Sequence, residues 1–152
     1  MKWFSALETS ASALTAERLR MDVIAGNIAN ANTTRTPEGG PYRRQMVQLE
    51  SRPSFATVLA QQGTDGTEGK DAYGQIGTGV RVAAIVQDPR PFKLKYDPTH
   101  PDADANGYVQ LPNVDTVTEM VDLISASRAY EANVTALNAF KSMVSSALSI
   151  GK

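Results

Sequence analysis

The sequence has no cysteine, which excludes disulfides, thiolate metal sites and a cysteine nucleophile, and leaves the redox compartment open. It has one histidine. A lone imidazole supplies neither paired metal ligands nor an HExxH pattern, and no GxSxG is present to raise a serine nucleophile. Excess charge of one sign is missing too, since 15 Lys and Arg stand against 16 Asp and Glu. With no broad positive field to hold phosphates, nucleic acid is excluded as a partner. No apolar run approaches the roughly 20 residues needed to span a bilayer, so no direct membrane insertion is expected. The N-terminal stretch is broken by Glu8, Glu17, Arg18 and Arg20 and shows no apolar h-region or small-residue cleavage site. A cleaved secretory signal is therefore not expected.

What is present is a near-average globular composition, 41% hydrophobic and 20% charged, which favours a folded chain. Proline divides it: all eight prolines fall between Pro37 and Pro112, so both ends are free to be helical. At the N-terminal end Leu7, Leu14, Met21 and Ile28 recur every seven residues, with Phe4, Ala11 and Ala25 one turn away on the same side. This spacing predicts an amphipathic helix from about Trp3 to Ala29, stopped by Asn30, Asn32, Thr33 and Thr34. At the C-terminal end Leu123, Tyr130, Leu137 and Val144 share a heptad position, with Met120, Val134 and Leu148 alongside. Pro112 and Asn113 precede that stripe, and Thr116 followed by Glu119 fits a capping box. The second helix is expected to run to about Ser149, roughly 34 residues and about 50 Å long.

Periodic patterns of that length suggest a coiled coil, and alanine and serine crowd both segments, which permits close backbone approach or simply reflects good helix formers. The fold class read from the sequence is α+β. Long N- and C-terminal helices pair as an antiparallel coiled coil, and a small β-rich subdomain lies between them. The expected boundaries are 1–32, 33–112 and 113–152. Two helices alone cannot cover both sides of two stripes, so the middle segment or other subunits must do so.

Within the middle, Tyr42–Glu50, Gly79–Val86 and Pro91–Tyr96 have strand-like composition. The polar, glycine-rich stretch 61–74 reads as a mobile loop. Asp102-Ala-Asp104-Ala-Asn106-Gly107 opens like a calcium loop, but the twelfth position is Asn113 and prolines obstruct the flanks. A polar turn with Gly107 at positive φ is the better reading, and His100, between Pro98 and Pro101, reads as a loop histidine. Gly74, Gly77 and Gly79 are spaced GxxGxG and precede a strand, which fails as a dinucleotide site. Gly69-Lys70 fails as a phosphate loop because Thr64 and Asp71 stand where glycine and serine or threonine belong. Pro41-Tyr42-Arg43-Arg44-Gln45 has interface-like composition, a solvated charge pair being the alternative. Trp3 and Phe4 have two readings, an anchor for a partner or packing on the chain's own second helix.

A resemblance enters through several of these residues. Leu14, Arg18, Val23 and Ile24, followed by Asn27-Ile28-Ala29-Asn30-Ala31-Asn32-Thr33, resemble the N-terminal signature of flagellar rod and hook proteins. Gly39-Gly40-Pro41-Tyr42-Arg43-Arg44-Gln45, Asp97-Pro98-Thr99-His100-Pro101-Asp102-Ala103-Asp104, Gly107-Tyr108-Val109 and Pro112-Asn113-Val114 are similar to the C-type (FlgC) family of proximal rod proteins. So are Glu119-Met120-Val121-Asp122 and Ser127-Arg128-Ala129-Tyr130-Glu131-Ala132-Asn133. The resemblance implies a non-catalytic, cofactor-free subunit of the bacterial flagellar basal body, in the rod that crosses the periplasm. It implies self-assembly through the terminal helices into a tubular drive shaft that transmits torque and forms part of the export channel. The implied partners are further copies, the B-type proximal rod protein, the F- and G-type rod proteins and the rod-base adaptor FliE. The flagellar type III export apparatus would deliver the chain without a cleaved signal.

Overall fold

In the computed structural model of the chain, residues 2–53 and 79–150 are described; the loop expected at 61–74 lies outside them. The element order is α1 (Lys2–Ala29), β1 (Gln45–Ser51), β2 (Val80–Gln87), β3 (Lys93–Tyr96), β4 (Tyr108–Leu111) and α2 (Thr116–Ile150). The α+β class is as expected, with two long terminal helices and two small sheets between them.

Helix α1 runs 28 residues without a proline. It stops where Asn30 gives both its backbone N–H (3.1 Å) and its Nδ2 (2.9 Å) to the Gly26 carbonyl, the side chain competing for a helical acceptor. Helix α2 runs 35 residues and starts differently from expectation. Its cap is Asp115, whose Oδ1 accepts the Val117 N–H at 3.3 Å and whose Oδ2 accepts the Thr118 hydroxyl at 2.9 Å. The Thr118 hydroxyl, then the Val117 N–H, hold the Asp115 carboxyl below its ordinary value. The Thr116–Glu119 capping box does not form, because the Glu119 carboxylate turns away from the helix end and into the fold.

The helices pack antiparallel, the last turn of α1 meeting the first turn of α2 through Asn27 Nδ2 and Glu119 Oε2 at 3.0 Å. Being longer, α2 overhangs, and residues 141–149 are all exposed. Leu7, Leu14, Met21, Ile28, Leu123, Tyr130, Val134 and Leu137 are half-buried, as their heptad spacing requires. Other assignments are rotated. Ala11 and Ala25 are exposed, on an outward stripe with Thr15, Arg18, Asp22 and Ala29. Met120 is 53% exposed and Leu148 72%, with Val144 also outside the intramolecular seam. Glu119, one residue or about 100° around the helix from Met120, takes the inward position instead. The side chains of Trp3 and Phe4 lie outside the described residues.

β1 and β2 pair antiparallel from Gln45↔Gln87 to Ser51↔Val80, with a bulge between Gln48 and Leu49. The ladder is extended at one end by Asp88 N–H to the Arg44 carbonyl (2.8 Å) and at the other by Arg52 N–H to Gly79 O (2.8 Å). Its Gly79 end rests on α1: the Val80 N–H donates to Ser12 Oγ at 3.1 Å. β3 and β4 form a second antiparallel pair with Tyr96 opposite Tyr108, their rings edge to face at 5.3 Å. β4 was not anticipated, being only four residues between Gly107 and Pro112. The turn reading of 97–107 holds. Gly107 has φ +79° and lies so close to the Tyr96 ring that a Cβ would press on it.

Few side chains are fully enclosed. Among the described residues the buried apolar set is Ala16, Ile24, Val109, Val114 and Ala126, and four polar residues, Asn27, Asp88, Asn113 and Glu119, are buried beside it. With so small an apolar core, the polar group carries an unusual share of the specificity.

Gly79 has φ +120°, and a Cβ there would overlap Ser12 Oγ. Gly79→Ala is therefore expected to destabilise the protein by about 1–3 kcal/mol, read as a fall in urea midpoint at unchanged slope. A wild-type midpoint would contradict this seating of β2 on α1.

Candidate functional site

The buried polar residues form one connected clamp where the two helices meet the Gln45–Gln87 end of the β1–β2 ladder. Asn27, in the last turn of α1, has all its hydrogen-bonding capacity filled. Its Nδ2 donates to the Gln45 carbonyl (2.8 Å) and to Glu119 Oε2 (3.0 Å). Its Oδ1 accepts the Gln45 N–H (2.9 Å) and the Tyr42 hydroxyl (3.0 Å). The asparagine thus pairs with β1 as a strand residue would and reaches α2 with the same amide. Burial pushes the Tyr42 hydroxyl pKa up, and the Glu119 charge adds to the effect.

Arg44 supplies the counter-charge. Its Nε donates to Glu119 Oε1 at 2.5 Å, Nη1 lies 3.5 Å from Asp88 Oδ2, and Nη2 lies 3.6 Å from Asp122 Oδ2. Its backbone N–H donates to Asn113 Oδ1 at 2.9 Å. Asn113 Nδ2 in turn bonds the carbonyls of Asp88 (3.3 Å) and Arg90 (3.2 Å), tying the entry to α2 to the end of β2. Asp88 receives the Arg90 fork, Nε at 2.8 Å and Nη2 at 2.5 Å. Arg90, with Arg44 assisting, holds the Asp88 carboxyl at about 2 against the opposing effect of burial. Glu17 is the contrast on α1. Its Oε2 is buried without a hydrogen-bond partner, with Arg20 Nη1 at 3.8 Å.

Of the residues singled out by sequence, the clamp gathers Asn27 and Tyr42 directly. Arg43 lies beside it, its guanidinium 4.4 Å over the Phe92 ring and Nη1 donating to the Asp88 carbonyl at 3.0 Å. Both arginines turn into the fold, toward Glu119, Asp88 and the carbonyls after β2, which sets aside the alternative of a solvated charge pair. Thr33 accepts the Tyr42 N–H at its carbonyl (3.0 Å), and Gly40, at φ +80°, closes the small turn with Thr36 (2.9 Å); Pro41 is half-buried behind it. A second junction forms around Asp102, whose Oδ2 accepts the Thr34 hydroxyl at 2.9 Å while Oδ1 lies 3.4 Å from Arg35. His100 Nδ1 accepts the Asp102 N–H at 3.1 Å. Pro101, Tyr108 and Arg128 are exposed, and Asn133 bonds only back along α2, to Ala129 O at 2.8 Å. Glu119, Arg44, Asp88 and Asn113 were missed as a unit. The available signal was a glutamate, Glu119, standing inside the otherwise apolar period of α2.

The clamp's carboxylates and guanidiniums are already paired with each other, an arrangement that fixes geometry rather than one poised to transfer a proton or hold a substrate. Comparison with known proteins agrees. Residues 7–35 match the family described as flagella basal body rod protein, and residues 105–150 match the flagellar basal body rod FlgEFG protein C-terminal family. The chain is 52% identical over 157 residues to the flagellar basal-body rod protein FlgC of Bacillus subtilis, covering all of both chains. It is 52% identical to that of Borreliella burgdorferi, over 99% of this chain and 98% of the relative. To that of Salmonella typhimurium it is 40% identical over the full length of both.

Two measurements check the clamp. Glu119→Ala leaves Arg44 and Asn27 without their buried partner and is expected to cost roughly 3–5 kcal/mol in urea unfolding. The Asp88 carboxyl is depressed in the folded state, so its contribution is present above its unfolded value of 3.8 and lost as pH falls through about 2. Between those limits wild-type stability should drop with acidification, and Asp88→Asn should flatten that drop. An unchanged pH slope in the variant would refute the assignment.

Proposed function

The chain belongs to the FlgC family of flagellar basal-body rod proteins, a structural family and not an enzymatic one, and on that premise we propose that it self-assembles into the tube of the proximal rod. The observation that carries the reading is similarity over the whole length of the chain rather than in a motif. In this reading the helices at 1–32 and 113–152 are the assembling parts, and 33–112 is the β-rich part that braces them. Neighbours in the tube are further copies, the B-type, F-type and G-type rod proteins and, at the base, FliE. The tube crosses the periplasm, transmits torque and continues the export channel, and the chain reaches it through the flagellar type III apparatus.

The physical support lies on the outer side of α2. Val117, Met120, Val121 and Ile124 are 69%, 53%, 61% and 54% exposed. Their spacing, i, i+3, i+4 and i+7, puts them on one face. At about 25 cal/mol per Å², covering such a face stabilises whatever contact covers it, and contiguous apolar patches mark interaction sites. The overhanging end adds Met143, Val144 and Leu148. Of the stripe positions, Met120, Val144 and Leu148 take the role of packing on neighbours in this proposal, and the half-buried ones hold the chain's own helix pair.

Val121→Asp tests it. The residue is exposed in the single chain, so monomer stability should change by no more than about 0.5 kcal/mol. Rod assembly should fail, because the carboxylate would be buried unpaired at the contact. The readouts are thermal unfolding of the purified chain, motility, and a density map of isolated basal bodies from cells carrying the tagged wild type or the variant. Complete rods in cells lacking the chain would overturn the function. Normal rods built from the variant would overturn only the assigned face.

A further inference from the structure

Most of α1 is covered by its own chain. From Ser10 to Ala29 its exposed positions are Ala11, Thr15, Arg18, Asp22, Ala25 and Ala29, spaced alternately four and three apart. One narrow line along the helix therefore faces outward. α2 exposes a broader side, and along its middle run Val117, Val121, Ile124, Arg128, Glu131 and Thr135, with the same two spacings. Among the described residues, Arg18, Asp22, Arg128 and Glu131 take part in no ion pair. Each outer line thus carries, at its centre, a cation and an anion that its own chain leaves to solvent.

The two lines are complementary when set against each other in opposite directions. With Asp22 opposite Arg128, Arg18 falls opposite Glu131, Ala25 opposite Ile124, Ala29 opposite Val121 and Thr15 opposite Thr135. Opposite charges meet, and branched side chains meet alanines, which leaves room for them. The adjacent alignments fail. Half a heptad one way brings Arg18 onto Arg128, and half a heptad the other way brings Asp22 onto Glu131, like charges that repel. A parallel arrangement can form only one of the two opposite-charge pairs at a time. Within one chain the lines never meet, because both point away from the seam between α1 and α2. The geometry points to a second copy of this chain as the occupant of α2's outer side, seated through its α1 with Asp22 on Arg128 and Arg18 on Glu131. Because α1 and α2 are antiparallel within the chain, this contact sets every α1 in the same direction and leaves the second copy's own α2 open to a third. Such a contact is heterologous, so it propagates instead of closing as a two-fold pair. The inference rests on the self-assembly reading above and gives that reading its contact: the apolar residues supply the covered area and the charges select the alignment.

Charge exchange tests it in cells producing the full chain. Asp22 and Arg128 are exposed, so Asp22→Arg and Arg128→Asp should each leave the circular dichroism of the purified chain unchanged. Each reversal puts like charges together at every contact and should cut the rods per cell to about a tenth. The double variant Asp22→Arg/Arg128→Asp should restore them, a rescue that misfolding could not produce. The absence of cysteine permits a second readout. The variant Ala25→Cys/Ile124→Cys should give, on oxidation of isolated basal bodies, a ladder of dimers, trimers and longer species, and neither substitution alone should do so. Wild-type rod numbers in both single reversals, no rescue by the double variant, or cross-linking that stops at the dimer would each overturn this contact and leave the rod reading in place. Complete rods in cells lacking the chain would overturn the rod reading itself.

Discussion

The structure is organised around one electrostatic requirement, the neutralisation of a carboxylate buried where two helices meet. Glu119 is fully enclosed, and an ionised carboxylate in that position is tolerated only with a counter-charge and filled lone pairs. Arg44 meets the first condition and Asn27 the second. Each then imposes a condition of its own. Arg44 must arrive on a strand whose start is fixed, which Asn27 ensures by bonding both backbone groups of Gln45. The guanidinium must also be held on its far side, which Asp88 does at the end of β2. Arg90 and Asn113 complete the set by binding Asp88 and the turn after it. Helices, hairpin and connector therefore meet in one place because none of these groups can be satisfied separately.

This also explains what sequence reading captured and what it did not. The two helices are legible because proline is absent from both ends and the heptad spacing is long; their boundaries came out within a residue or two. The rotation of α2 is not legible from hydropathy. Met120 is the more apolar neighbour, yet Glu119 faces inward, because the partners that make burial tolerable lie 75 and 92 positions away along the chain. For the same reason Thr116 and Glu119 looked like a capping box. The glutamate is of the right type at the right spacing, but Asp115 caps the helix and the carboxylate is used elsewhere.

The β elements show a similar division. β1, β2 and β3 are visible as short runs of branched and apolar residues between turn formers. β4 is a four-residue strand whose support is tertiary: it pairs with β3, Tyr96 and Tyr108 meet edge to face across the hairpin, and Val109 is buried. Gly107, by contrast, was readable locally, since a positive φ in a turn closed by aspartate and asparagine is a short-range property. Arg43 and Arg44 were legible as important only through their motif. Their inward direction depends on carbonyls and carboxylates contributed by two other segments, the turn after β2 and the first turns of α2.

The clamp has a further consequence for the outer surface. The first turns of α2 carry apolar residues on two sides, with Leu123 and Ala126 inward and Val117, Met120, Val121 and Ile124 outward. Hydrophobicity alone gives such a helix no reason to bury one side rather than the other. The exposed side of α2 is itself apolar, so polarity on that side does not settle the rotation. Placing one glutamate on the inward side, and its only adequate partners in the fold beneath, decides the rotation without altering the outer face. The buried charge is thus the element that lets the helix hold its own chain together while its outer side stays apolar.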